Sequence, residues 1–427
     1  MVEKITNMNK LRGEIFLPGD KSISHRALMF ASLANGTSEI FGLSSSEDVR
    51  STMDCLKKLG IKIWNDKDKT YVKGTGLHGF QEPGGVLDAG NSGTTLRLLS
   101  GILTGQNFTS TITGDSSLKS RPMKRIIKPL MKIGANIEGG KNQYAPLTIK
   151  PGNLKAYEHQ LNIASAQVKS CLLLAGLFAQ GKTTIVEPSI SRNHTEKMLK
   201  YLGAELAIEE TSVTMEGMPE LTSNVINVPG DISAAAFFMI AACLTKDSSI
   251  KIKNVGLNPT RTGIVDVLTK MGANFIFQNQ ETKNNEETGD VLIDSCALHG
   301  VEIKGDMIPR VIDEIPVLAV AATQAIGETV IKDARELRVK ETDRIEAVVE
   351  NLRRMGAQVT ELENGMVVPG NQKLTGAEID SYGDHRIAMA FAVAGLFADG
   401  ITTIKNPDCV KISHPNFFHQ LKELADD

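Results

Sequence analysis

Tryptophan occurs once in 427 residues, cysteine and tyrosine five times each. With aromatics at 5%, no Arg-rich aromatic platform for stacking nucleic-acid bases can be assembled. No basic block stands out, and a formal net charge of −3 argues against a dedicated nucleic-acid surface. The five cysteines are scattered singly, with no CxxC or Cys/His spacing for a metal. Cys55, Cys171 and Cys243 fall within helical patterns and read as reduced core residues. The longest apolar stretches, such as IAMAFAVAGLFA (387–398), fall short of the roughly 18 residues that a membrane span needs. The opening MVEKITNMNK lacks the apolar core of a signal peptide. These absences predict a cytoplasmic chain with no nucleic-acid or membrane partner.

What the chain does have is internal repetition, at a lag of roughly seventy residues. A two-part unit recurs six times. Its first part is an apolar, Ala/Leu-rich helix running into a turn and a Thr/Ser-rich strand, as in HRALMFASLANGTSEI (25–40) and HRIAMAFAVAGLFADGITTI (385–404). Its second part is an amphipathic helix stopped by glycine and followed by a strand. The stops are Gly60, Gly134, Gly203, Gly272 and Gly356, each with an apolar residue one and four places before it and another three places after. That spacing puts the side chains on one helix face, with the glycine as a left-handed C-cap. The sixth copy is incomplete, since no strand follows Leu421 and Leu424 before Asp427.

At this length two domains of about 200 residues are expected, and the fold class is α/β. A strand-like segment, LRGEIFLP (11–18), precedes the first copy and is expected to complete the last one. Residues 1–19 and 230–427 then form one discontinuous domain and residues 20–229 the other, three repeats each. Matching tripeptides, Pro18-Gly19-Asp20 and Pro229-Gly230-Asp231, mark hinges near 18–20 and 229–231. A continuous solenoid is the alternative, although solenoid repeats are usually shorter and no capping repeat is evident. The segment from Gly176 to Thr183 matches the phosphate-binding pattern GxxxxGK[ST], but here the helix comes before the turn and the strand after. A phosphate-binding loop needs the opposite order.

Polar residues gather at the starts of the apolar helices: Asp20-Lys21-Ser22 through Arg26, Gly90-Asn91-Ser92-Gly93-Thr94, Ser165-Ala166-Gln167, Asp231-Ile232-Ser233, Asp313-Glu314 and Asp384-His385-Arg386. Capping explains many of them, Ser233 and Asp384 included. It does not explain Lys21, Arg26 or Arg386, because cations oppose the positive end of a helix dipole. They make sense if an anion sits between, and a helix N-terminus is a ready anion site. Three loops at one place in the repeat add further charge: 113–124 with Lys119 and Arg121, 336–344 with Arg338, Lys340, Glu341 and Arg344, and 410–415 with Lys411. For Lys119 and Arg338 a solvated charged face is an equal alternative.

At these residues the chain resembles the 5-enolpyruvylshikimate-3-phosphate synthases. LPGDKSISHRAL, GNSGTTLRLL, GDSSLKSRPM, RVKETDRI and GDHRIAMA are similar to that family's motifs, in order, over essentially the whole chain. The related transferase acting on UDP-N-acetylglucosamine typically carries a cysteine in the loop that here holds Arg121, and residues 113–124 contain none. The resemblance implies that phosphoenolpyruvate and shikimate 3-phosphate condense to an enolpyruvyl ether with release of phosphate. It implies no metal or organic cofactor, and the chain is expected to act as a monomer on small anionic substrates. It also implies a two-domain inside-out α/β barrel of six βαβαββ-type repeats, with helices inside and sheets outside. Residue by residue, Lys21, Ser22 and Arg26 would contact the shikimate phosphate, and Ser165, Gln167, Arg192, Asp313 and Lys340 would bind the same substrate. Lys21, Gly93, Arg121, Gln167, Arg344, Arg386 and Lys411 would hold phosphoenolpyruvate.

The implied reaction needs an acid and a base: the 5-hydroxyl loses a proton as it attacks C2, and C3 gains one. Glu341 is assigned to the C3 side and Asp313 to the hydroxyl; the two roles could be exchanged, or Lys21 could share one. A substrate touching both domains would draw them together. Ala166 stands where many members have a second serine, which resembles a subset less sensitive to glyphosate, while Gly93 is retained. The alternatives are a UDP-N-acetylglucosamine-type enolpyruvyl transferase and a non-catalytic anion-binding protein.

Overall fold

Helices apolar on every side must be buried on every side, and this chain has several. The segment ISAAAFFMIAACL is helical over Ile232–Leu244 and buried at all but its last position, and His385–Gly395 is buried throughout. The computed structural model describes residues 2–425. Met1, Asp426 and Asp427, and with them the expected end of the sixth copy, lie outside the described residues.

The chain divides into two units, each with its own hydrophobic core. The first unit comprises Gly19–Val228 with Thr282–Glu286; the second takes the segment up to Pro18, Pro229–Glu281, and the chain from Glu287 onward. In the first unit lie α1 (Lys21–Leu33), α2 (Glu47–Lys58), α3 (Gly93–Leu103), α4 (Ser116–Ser120), α5 (Lys124–Lys132), α6 (Ala166–Gly176) and α7 (His194–Tyr201). In the second lie α8 (Ile232–Leu244), α9 (Gly263–Lys270), α10 (Met307–Val311), α11 (Ile315–Gln324), α12 (Arg344–Arg354), α13 (His385–Gly395) and α14 (Phe417–Glu423).

Three four-stranded sheets in the first unit share one plan. The strand Asn35–Phe41 pairs parallel with Val225–Asn227 and antiparallel with Lys69–Thr75, which pairs antiparallel with Lys62–Asp66. Ser110–Thr113 and Lys182–Val186 hold the same place in the other two sheets, and Glu328–Ile331 holds it in a sheet of the second unit. Each sheet is open. Among the described residues none closes on itself, so the expected barrel is not a hydrogen-bonded one.

The five glycine stops are real helix ends. Gly60, Gly134, Gly203, Gly272 and Gly356 have φ between 84° and 108° and follow α2, α5, α7, α9 and α12 directly after the C-cap residue. The N-terminal strand, however, goes elsewhere than expected. Arg12–Phe16, within LRGEIFLP, pairs parallel with Ser249–Gly256 in the sheet beside α8. It is the earlier strand, Val2–Ile5, that joins the last sheet, antiparallel to Thr402–Lys405. Strand partners far apart in sequence leave no periodic trace, which is why the assignment slipped. The phosphate-loop look-alike is a helix end: α6 closes at Gly176 and the strand opens at Lys182.

Candidate active site

In the first unit the starts of α1, α3 and α6 are tied together. Asp20 caps α1 by accepting from the Ile23 N–H at 2.8 Å, and Ser92 caps α3 by accepting from Thr95 N–H at 3.0 Å. Lys21 Nζ lies 2.9 Å from Asp48 Oδ2 on α2. Gln167, in the first turn of α6, donates from Nε2 to Thr94 Oγ1 of α3 at 3.1 Å, and its Oε1 accepts from Arg97 Nη1.

Gly93 sits at the centre of this arrangement. A Cβ there would stand 3.0 Å from Arg97 Nη1 and 3.5 Å from Arg121 Nη1, so the absent side chain is what gives two guanidinium groups room beside the α3 N-terminus. Arg121 is buried and donates to Asn91 Oδ1 at 2.7 Å, to the Asn91 carbonyl at 3.1 Å and to Ser117 Oγ at 3.0 Å. Asn91 in turn donates to Asp115, the cap of α4. Two buried cations beside a helix N-terminus can hold a dianion.

Arg26 is buried as well, and the hydrogen bonds seen here run to α6, α7 and its own helix: Nη2 to Ser170 Oγ at 2.8 Å, Nε to Thr195 Oγ1 at 2.7 Å, and Nη1 to the Ser22 carbonyl at 2.9 Å. Ser165 is the N-cap residue of α6 without a side-chain cap bond, and Arg192 is half-buried just ahead of α7.

In the second unit the starts of α11, α12 and α13 converge on one guanidinium. Arg344, 1% exposed, donates from Nε to Asp384 Oδ2 at 2.7 Å, from Nη1 to Asp313 Oδ1 at 3.2 Å and from Nη2 to Glu341 Oε2 at 2.6 Å. Burial alone would lower its pKa; the charges of Asp384, Glu341 and Asp313 outweigh that and push it up. Lys340 Nζ and Arg386 Nη2 approach Asp313 at 3.8 and 3.7 Å, and Arg386 Nη1 donates to the Asp313 carbonyl at 3.0 Å. Asp313 and Glu341 remain 14% and 18% exposed, so their carboxylates can be reached, whereas Asp384 is fully buried. Lys411 is half-exposed and pairs with Asp408 on its own turn at 2.5 Å.

Residues 5–421 match the family model for EPSP synthase (3-phosphoshikimate 1-carboxyvinyltransferase). The chain belongs to the EPSP synthase family. It is 50% identical over 418 residues to the 3-phosphoshikimate 1-carboxyvinyltransferase of Bacillus thuringiensis subsp. konkukian, covering 98% of this chain and 97% of that protein. A relative of the same description from Bacillus anthracis shows the same identity and coverage. Among solved structures, EPSP synthase from Acinetobacter baumannii superposes with a TM-score of 0.88 at 40% identity, covering 99% of this chain and 98% of that one. The protein is therefore an enzyme that transfers an enolpyruvyl group to shikimate 3-phosphate in aromatic biosynthesis, and its fold is the mixed α/β fold of those structures.

Several expectations about EPSP synthase motifs need revision. Arg338 belongs to the scaffold: it donates to Asp343, Glu361 and two backbone carbonyls. Ser233 does not cap α8; Asp231 does, and Asp231 Oδ1 and Ser233 Oγ both accept from Arg261 Nη2. Asp384 caps α13, as expected, and holds Arg344 besides. Arg97 was missed, although a lone cation one turn into the apolar run TTLRLLSGIL was a usable signal. Asp48 gave none, because an acid in a helix's first turn is ordinary dipole complement. Among the described residues no three His, Cys, Asp or Glu side chains gather as metal ligands, and no helix is long and apolar enough to cross a membrane. Cys55 and Cys171 are free thiols whose burial pushes them up to about 12, out of nucleophilic range.

Proposed function

We propose that the 5-hydroxyl of shikimate 3-phosphate attacks C2 of phosphoenolpyruvate as C3 takes up a proton, and that phosphate leaves the resulting tetrahedral adduct as C3 gives the proton back. Lys21, Ser22 and Arg26 hold the shikimate phosphate, and Ser165, Gln167, Arg192, Asp313 and Lys340 hold the rest of that substrate. Lys21, Gly93, Arg121, Gln167, Arg344, Arg386 and Lys411 hold phosphoenolpyruvate. Arg26 exchanges hydroxyl partners for phosphate oxygens, and Lys411 gives up Asp408.

The observation that carries the reading is the sharing of Arg344 by Asp313 and Glu341, at 3.2 and 2.6 Å. A guanidinium favours the ionised carboxylate, which suits Asp313 as the base at the hydroxyl. Glu341 must instead carry a proton to C3. When a substrate anion takes Arg344, the hold on Glu341 weakens and the carboxyl can accept that proton. Shared strand order and pairing in the sheets support six copies of one βαβαββ unit, three per domain with helices inside, with domains at 20–229 and at 1–19 plus 230–427 and hinges at 18–20 and 229–231. Small anions are the only partners, and the enzyme acts as a monomer without a cofactor.

Glu341→Gln tests the assignment. It should leave both KM values within a few-fold and lower kcat by about 10²–10⁴, the usual worth of a positioned acid or base. Near-normal turnover would move the proton transfer to another group.

A further inference from the structure

The helix α2 carries none of the residues assigned to substrate, yet it is bonded to Lys21 and to the helix that opens at Gly93. Asp48 and Thr52 stand four residues apart on one of its faces. Asp48 holds Lys21 Nζ at 2.9 Å, with side-chain exposures of 8% and 15%. Thr52, fully buried, bridges two helices: its Oγ1 lies 2.6 Å from His25 Nδ1 of α1 and 2.6 Å from Thr95 Oγ1 of α3. Thr95 Oγ1 continues to Ser92 Oγ, the α3 cap, at 2.8 Å. One turn further along α2, Cys55 Sγ donates to the Asp88 carbonyl at 3.3 Å, at the entry to the Gly90–Gly93 turn.

We infer that α2 is the positioning element of the phosphoenolpyruvate site, with Thr52 and Asp48 as positioning residues that fix the α3 N-terminus and Lys21 relative to one another. This rests on the assignment of Lys21, Gly93 and Arg121 to phosphoenolpyruvate. The physical reason is the chain from His25 through Thr52 and Thr95 to Ser92, which lies wholly in the interior. Each hydroxyl there is both donor and acceptor, so removing the middle one leaves its neighbours on two helices short of partners with no water to replace it. The imidazole of His25 is held far below its ordinary pKa by burial, then by Lys21 and Arg26, so it stays neutral and the chain keeps one bonding pattern at neutral pH.

Thr52→Val keeps the shape and removes the hydroxyl. It should raise the KM for phosphoenolpyruvate about tenfold, the factor expected from one lost buried hydrogen bond. The KM for shikimate 3-phosphate and kcat should stay within about threefold. Thr52→Ser should restore the wild-type KM. Asp48→Asn should raise both KM values, since the amide keeps the contact with Lys21, which serves both substrates, and loses the charge. Arg121→Ala serves as the control for the underlying assignment. If Arg121→Ala leaves the phosphoenolpyruvate KM unchanged, the assigned site falls. If it raises that KM while Thr52→Val does not, or while Thr52→Val raises both KM values alike, the site stands and the positioning role of α2 falls.

Discussion

Arg344 shows how much chemistry a single buried side chain can organise. Three carboxylates from the starts of α11, α12 and α13 meet on it, and two of them stay within reach of a ligand. Its motif was visible in RVKETDRI, but its partners Asp313 and Asp384 lie 31 and 40 residues away, and only Asp313 had been singled out for chemistry. His414 is a second residue whose setting dictates behaviour. It packs against Phe238 and Phe417, and its Nε2 lies 2.7 Å from Gln420 Oε1. Burial lowers its pKa from 6.5 to about 4, against the upward pull of Gln420 and Asp231. An unfolded chain binds the proton below about 6.5 while the folded one does not, so the stability this site contributes is full above 6.5 and is lost as pH falls toward 4. Over the whole window that amounts to about 3 kcal/mol. His414→Phe should therefore shrink the drop in urea midpoint between pH 7 and pH 4; an equal drop in both proteins would show that His414 does not titrate in this range.

Elements were legible where their cause is local. The glycine after each amphipathic helix and the apolar faces before it mark helix ends that the structure reproduces with positive φ at all five. What joins elements was less legible. Lys169 lies in α6 amid QVKSCLLLAG, 2% exposed, with Nζ 2.6 Å from Glu187 Oε2 and 2.7 Å from Glu196 Oε1. These partners stand 18 and 27 residues further on, one after a strand and one on α7, at no spacing that a periodic pattern could reveal. Together they pin α6 to α7 from inside. Lys169→Met fills the same space and leaves two buried carboxylates without their cation, which should cost about 3–5 kcal/mol. Replacing both glutamates by glutamine in the same protein should recover much of that loss. A thermal midpoint unchanged in Lys169→Met would mean that the triad contributes nothing to holding these elements.

On the scale of the whole molecule, sequence repetition revealed neither which N-terminal strand joins which sheet nor that Thr282–Glu286 groups with the first unit. Both depend on contacts between segments distant in the chain, where no local spacing applies. In the proposed function, cations set at helix N-termini read the phosphates of two substrates, Lys21 and Arg26 taking the one on shikimate. The direct test is phosphate release from phosphoenolpyruvate with shikimate 3-phosphate and with shikimate as acceptors. Two charge-assisted hydrogen bonds of about 1.5–3 kcal/mol each predict kcat/KM higher by roughly 10²–10⁴ for the phosphorylated acceptor. Comparable values for the two acceptors would contradict it.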